Sequence, residues 1–342
     1  MRSVSCEIVR GTGVLCMRCV VLAAYLATMG ACASALAAPC PGNPNALGTS
    51  RTIAIDPAQH ARVGTMQYSQ ALQLPLAERE VVLTFDDGPL PPYTDSILRT
   101  LAAECVKATF FMVGRQASLN PEAARRVYDA GHTIGTHSQN HPLTFDTMAL
   151  SRAQREIDDG VTSVKAALDD RPVAPFFRIP GLLRTNAVED YLASRGLSVW
   201  SADADADDWY RTSTPESVVA KAMSRIEKTG RGIILLHDIQ PVTALALPKL
   251  LRELKARGYR VVHVVPQGRP APKPPLVASK PAPAQPEHQG WPRIASADPG
   301  FQQWIEPRRY STQTYTVRSS PRVVRRHDVR RARTTTRWIY VR

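Results

Sequence analysis

Val81-Val82-Leu83-Thr84-Phe85-Asp86-Asp87-Gly88-Pro89 joins a run of strand-forming residues to two carboxylates and a turn signal. An apolar run of this length, bounded by Asp-Gly-Pro, reads as a buried strand ending at Phe85. Six more runs of the same kind follow, at 109–113, 132–135, 176–179, 197–200, 233–236 and 261–265. Helical signals fall between them. Asn120-Pro121 opens a segment that stops at Gly131, Thr214-Pro215 opens one that stops at Gly230, and the Ala- and Leu-rich stretch 243–257 ends at Gly258. Strands alternating with helices predict an α/β fold on a parallel sheet, closed as a barrel or open and doubly wound. Both place active residues at the carboxyl ends of strands.

Chemistry-bearing residues do gather at those strand exits. Asp86 and Asp87 follow the first; neighbours on a strand point to opposite faces, but the Gly88-Pro89 turn could bring both to the mouth of the sheet. Read alone, they are equally a solvated Asp-Gly turn. His137 and His141 follow the third strand, and at i, i+4 on a helix they would share one face and could grip a metal. His132, at that strand's start, reads as structural. Arg178 sits before a Pro-Gly turn, where it is either a surface residue or the orienting partner of a carboxylate. Asp203, Asp205, Asp207 and Asp208 form an acidic run that reads as a solvated loop, closed by Trp209, whose indole could face a sugar. The very apolar 233–236 strand ends in His237-Asp238, and a lone strand-end His is either core, surface or catalytic.

The ends of the chain differ from its middle. The 342 residues hold 43 Lys+Arg and 30 Asp+Glu, a formal charge of +13 that invites a nucleic-acid or acidic-polymer reading. The charge is not spread evenly: residues 1–37 carry +2, residues 266–342 carry +11, and 38–265 is neutral. Arg18, the apolar stretch 19–26 and Ala35-Leu36-Ala37 read as a cleavable secretory signal, with lipidation at Cys32 as the alternative. Cleavage there would remove Cys6, Cys16, Cys19 and Cys32, leaving Cys40 and Cys105, which an oxidising compartment would permit to bond or leave as two thiols. The eight prolines of 266–286 read as a semi-rigid linker. The expected organisation is a signal at 1–37, an N-terminal extension at 38–77, a catalytic domain at 78–265, a proline-rich linker at 266–290 and a basic, disordered tail at 291–342.

In order and position these stretches closely resemble the NodB-like polysaccharide deacetylases, carbohydrate esterase family 4. Thr84–Pro89 (TFDDGP) and His137–His141 (HSxxH) match intact. Arg178-Ile179-Pro180-Gly181-Leu182 matches in part, Asp208-Trp209 supplies the Asp-Trp pair, and Ile234-Leu235-Leu236-His237-Asp238 supplies the last motif. The resemblance implies a distorted (β/α) barrel of about seven parallel strands. It implies a divalent metal, most often Zn²⁺ with Co²⁺ or Ni²⁺ possible, on Asp87, His137 and His141. It further implies Asp86 as general base, His237 as general acid, and Arg178 and Asp208 as their respective orienting partners. Leu235 would line the acetyl-methyl pocket with Trp209 beside it. Three protein ligands leave a metal position open for water, and an amine leaves only when protonated, so a separate acid is needed. In the third motif the family's aromatic is replaced by Gly181, whose N–H could still serve the oxyanion; the sugar-stacking wall is missing.

The implied function is removal of N-acetyl groups from a chitin-like or peptidoglycan amino sugar by an exported, periplasmic or extracellular enzyme. The alternatives are an O-acetyl-xylan or small-amide hydrolase of the same fold, or a non-catalytic glycan-binding protein. The +11 tail reads as a tether to anionic envelope polymer or lipid headgroups. Nucleic acid is not an expected partner, because no motif supports it and the leader argues against it.

Overall fold

The computed structural model describes residues 40–68 and 73–268. The leader at 1–37, Cys32, the linker from 269 onward and the basic tail lie outside the described residues. Ten strands of the described residues form one sheet: β1 (Thr49–Ile55), β2 (Arg62–Val63), β3 (Glu80–Asp86), β4 (Thr109–Met112), β5 (Thr133–Thr136), β6 (Phe176–Phe177), β7 (Ser198–Trp200), β8 (Ala204–Asp205), β9 (Gly232–His237) and β10 (Arg260–Pro266). Among the described residues seven α-helices accompany them: α1 (Tyr93–Ala103), α2 (Gly114–Leu119), α3 (Pro121–Asp129), α4 (Leu150–Ala167), α5 (Asn186–Ser194), α6 (Pro215–Thr229) and α7 (Pro241–Ala256). Every strand pairing is parallel.

β3 is the hub. All seven of its residues are buried, as a parallel strand covered on both faces must be. Val81, Leu83 and Phe85 face outward, in one cluster with Ile97 and Leu101 of α1 and Leu247, Leu250 and Leu254 of α7. Val82 faces inward, in a second cluster with Phe111, Trp200, Ile233, Leu235 and Val264. Strand alternation therefore puts Thr84 and Asp86 on the inner side, with Asp86 at the strand's carboxyl end. β9 pairs with β3 along its whole length, bringing His237 opposite Asp86.

The seven strands read from the sequence are all present, and three more join them. β8 corrects the reading of 203–208 as a solvated acidic loop. Ala202, Ala204 and Ala206 are fully buried, and between them Asp203 accepts from the Thr65 and Ile233 amides (2.9 and 2.8 Å). The period-2 alternation is there, but in Ala and Asp, two residues depleted in strands, so composition hides it. β7 pairs with β6 and, a few residues on, β8 pairs with β9, which itself pairs with β3, an arrangement that matches a distorted (β/α) barrel. β1 and β2 come from the segment set apart as an extension. β1 pairs with β10 over Thr49–Ile55, and Cys40 is bonded to Cys105, which resolves the alternative left open for these two thiols. β1 escaped notice because its first four residues are polar and partly exposed.

The helix punctuation behaves as read. Thr214 caps α6 in a reciprocal pair with Ser217, Pro215 takes the first position, and Gly230 ends the helix at φ +72°. α7 starts at Pro241, two residues ahead of the expected stretch, and runs through Pro248.

Candidate active site

Asp86, the last residue of β3, is 2% exposed. Arg178, one residue past β6, is fully buried and reaches across the barrel; its Nη1 donates to Asp86 Oδ1 (2.6 Å) and to Thr84 Oγ1 (2.9 Å), and its Nη2 to the Ser201 carbonyl (2.8 Å). The guanidinium also lies 4.3 Å from the centre of the Phe111 ring. Burial pushes the Asp86 carboxyl up, and Arg178 and His237 pull it back only in part, so it stands at about 6. A carboxylate with that proton affinity suits a general base near neutrality.

Asp87 resolves the problem of two adjacent carboxylates. Its φ of +79° turns the chain as the strand ends, so that both side chains reach the same mouth. Asp87 Oδ1 lies 3.5 Å from His137 Nε2 and 3.2 Å from His141 Nε2, and Asp86 Oδ2 lies 3.7 Å from His137 Nε2. The two histidines do not share a helical face, which corrects the reading of their spacing. They lie on the loop after β5, folded back by left-handed residues at Ser138 (φ +66°) and His141 (φ +56°). Ser138 Oγ accepts from the His141 amide (3.0 Å), and Glu156 of α4 binds Asn140 through both its main-chain and side-chain nitrogens. Gly160 lets α4 approach this loop: a Cβ there would stand 2.6 Å from the Ser138 carbonyl carbon.

The donor set fits a divalent cation. Asp87 Oδ1 is buried without a hydrogen-bond partner, and the three ligand atoms lie within 4.8 Å of one another. His137 Nδ1 meets the Arg178 carbonyl at 2.6 Å, which leaves Nε2 to present a lone pair. Burial, helped by His141, pushes His137 down to about 3, so its ring is neutral; the surrounding histidines outweigh burial at Asp87 and hold its carboxyl below the usual range. Two imidazoles and one carboxylate are a donor set that suits a divalent cation with a coordination position to spare.

On the other side of Asp86, His237 ends β9. Its Nδ1 meets Asp208 Oδ1 at 2.7 Å, and its main-chain N–H donates to Asp208 Oδ2 at 2.8 Å. Burial disfavours the charged ring, but Asp208, Asp87 and Asp86 together raise it to about 10. The result is a carboxylate and an imidazolium on neighbouring strands, with opposite protonation states maintained by different partners.

The remaining expected residues are less closely joined. Leu235 is buried on the inner face, two residues before His237 and in register with Thr84. Trp209 follows Asp208 but is 48% exposed, stacked on Tyr210 (3.8 Å between centroids) and bonded weakly to Asp205. Gly181 is exposed on the 3₁₀ turn after β6 at φ +60°, beside Leu143 and Leu183. Three buried residues were missed by sequence reasoning. Thr84 supports Arg178, Thr243 donates to Asp208, and Asp238 accepts from Gly88 N–H (2.9 Å) and Thr94 Oγ1 (2.6 Å). Thr84 and Asp238 were inside quoted motifs; for Thr243 there was no signal.

Comparison with known proteins bears on the same stretch. A family model described as polysaccharide deacetylase matches residues 74–200. A peptidoglycan-N-acetylglucosamine deacetylase of Bacillus cereus is 34% identical over 198 residues, covering 56% of this chain and 89% of that protein. One from Listeria monocytogenes is 32% identical over 54% of this chain, but only 38% of its own length is matched. Among solved structures, a peptidoglycan deacetylase of Bdellovibrio bacteriovorus aligns with TM-score 0.57 and 35% identity, over 66% of this chain and 60% of that one. The chain belongs to the polysaccharide deacetylase family, carbohydrate esterase family 4, hydrolases of carbon–nitrogen bonds in linear amides.

Proposed function

We propose that the protein removes N-acetyl groups from the amino sugars of peptidoglycan or a chitin-like glycan. The observation that carries this is the placement of Asp86 and His237, one basic and one acidic, on register-paired positions beside the Asp87, His137 and His141 cluster. The relatives' names point to peptidoglycan as the glycan. Asp87, His137 and His141 would hold a divalent cation, most simply zinc with cobalt or nickel as substitutes, which would supply Lewis-acid polarisation of the amide carbonyl and a lowered pKa for water.

Asp86 Oδ2 faces the cluster because Arg178 holds Oδ1, and it accepts the proton of the attacking water. His237 Nε2 gives its proton to the amine nitrogen as the carbon–nitrogen bond breaks, while Nδ1 stays bonded to Asp208. Water oxygen ends on the acetyl carbon, so the products are acetate and a free amine. In this reading the Gly181 amide meets the carbonyl oxygen, Leu235 the acetyl methyl, and Trp209 a sugar face. Export to the periplasm or cell exterior is supported by the leader and by the Cys40–Cys105 bond, which suits an oxidising compartment. In the tail, the charge of 266–342 favours a tether to anionic envelope polymer.

Acetate release is to be measured from peptidoglycan fragments, chitooligosaccharides and acetylxylan, on chelated protein with and without added zinc. Zinc-dependent release from an amino-sugar substrate is expected. Release from acetylxylan alone, or from no substrate, overturns the reading.

A further inference from the structure

Thr243 lies outside every motif that carried the family resemblance, in the first turn of α7, and it is fully buried. Its hydroxyl donates to Asp208 Oδ2. Asp208 is itself fully buried, and its other two donors, the main-chain N–H and Nδ1 of His237, belong to the residue it orients. Thr243 is therefore the one side-chain hydroxyl given to Asp208 from outside the pair among the described residues. A buried carboxylate needs all its acceptor sites satisfied, and bonds to an ionised acceptor are stronger and shorter than neutral ones. Without this hydroxyl, Asp208 and His237 would hold each other with no side chain from another element to fix the carboxylate's rotation.

We propose that Thr243 is a positioning residue for proton delivery to the leaving amine: it locks Asp208, and through Asp208 the direction of the His237 ring. The inference rests on the reading of His237 as general acid. In that step the Nε2 proton passes to the amine nitrogen as the carbon–nitrogen bond breaks, and the ring is left neutral with Nδ1–H on Asp208. The locking matters only when the leaving group must be protonated. An alkoxide- or amine-like group needs the proton, whereas a phenolate as stable as 4-nitrophenolate does not.

The test uses the full-length, zinc-loaded protein as wild type, Thr243→Val, which keeps the shape and loses the hydroxyl, and Thr243→Ser, which restores it. Each is assayed on an N-acetylated chitooligosaccharide and on 4-nitrophenyl acetate, and the His237 Nδ1–H resonance is followed by proton NMR. For Thr243→Val, kcat on the amide should fall about ten- to a hundredfold, as for loss of one bond to a charged group, with KM little changed. Its ester rate should stay within about twofold, its Nδ1–H resonance should move, and Thr243→Ser should recover all three. An amide rate unchanged in Thr243→Val overturns the proposal, as does an equal fall on amide and ester, which would mark a packing role. Should the valine variant fail to fold, an Nδ1–H resonance displaced in the folded serine variant as well overturns it. Wild type that cleaves the ester but no amide would instead sink the functional reading beneath it.

Discussion

Asp87, Ser138 and His141 hold the chain at φ values between +56° and +79°, conformations that cost a non-glycine residue on the order of 1–3 kcal/mol each. Two of the three are proposed cation ligands and the third bonds the second of them, so left-handed backbone is built into the place where three ligand atoms converge. Binding of a cation would offset that cost. His137→Ala should therefore abolish stoichiometric zinc as measured by elemental analysis. Asp86→Asn should keep the zinc and lose at least about a hundredfold in kcat on an N-acetylated oligosaccharide. An Asp86→Asn protein with wild-type turnover would refute the base assignment. Residue types at this scale were legible: both carboxylates, both histidines, Arg178, Asp208 and His237 could be picked from the sequence. The local backbone was not. Helical spacing suggested a shared face for His137 and His141, and nothing in Ser138 announces a left-handed turn.

Among elements, α4 and α5 show how far the site's support extends beyond the motifs. Gly160 stands mid-helix, where glycine costs up to about 1 kcal/mol relative to alanine, and its reason is the backbone of Ser138 at its side. Gly160→Ala should gain helix propensity but push the ligand loop. Because the clash is with main chain, the second effect wins, and zinc affinity measured by chelator competition should fall about tenfold or more. An isolated glycine in an otherwise regular helix was the one cue available.

α5 fastens the N-terminal segment instead. Glu189, 3% exposed, accepts from Arg62 of β2 (2.7 Å), from Tyr68 Oη (2.8 Å) and from Arg184. Burial works to raise its pKa, but these three partners together hold it below the ordinary value of 4.5. The stability it contributes is thus present above about pH 4.5 and is lost as pH falls through the lower, folded-state value. Glu189→Gln should cost about 3 kcal/mol at pH 7, and its deficit in denaturant midpoint should shrink between pH 5 and 3. A deficit constant with pH would show that the charge is not what counts. Most of this clamp was not visible in the sequence, because Arg62 and Tyr68 lie 127 and 121 residues from Glu189 and only the fold brings them to it.

At the scale of the whole molecule, the +13 charge separates into a neutral domain and basic ends. If the C-terminal charge is the anchor, deleting residues 269–342 should abolish low-salt co-sedimentation with anionic envelope polymer and leave kcat/KM on a soluble oligosaccharide unchanged. Binding that survives the deletion would place the anchor elsewhere. The barrel itself was readable because seven strands are compact apolar runs. β8, which pairs with β9, was not, since it is written in alternating alanine and aspartate.

The pairing of Asp86 with His237 across the β3–β9 ladder has a further consequence. The gap between Asp86 and His237, the proposed proton acceptor and donor, is set by main-chain hydrogen bonds between two central strands, and a slip of one residue would turn β9's residues to the opposite faces. Loops around the mouth can therefore lengthen, shorten or exchange their aromatics without retuning that gap. On the proposed roles, a barrel built this way is free to change the sugar it accepts while the bond it breaks stays the same, and the glycine at position 181 would be one such change.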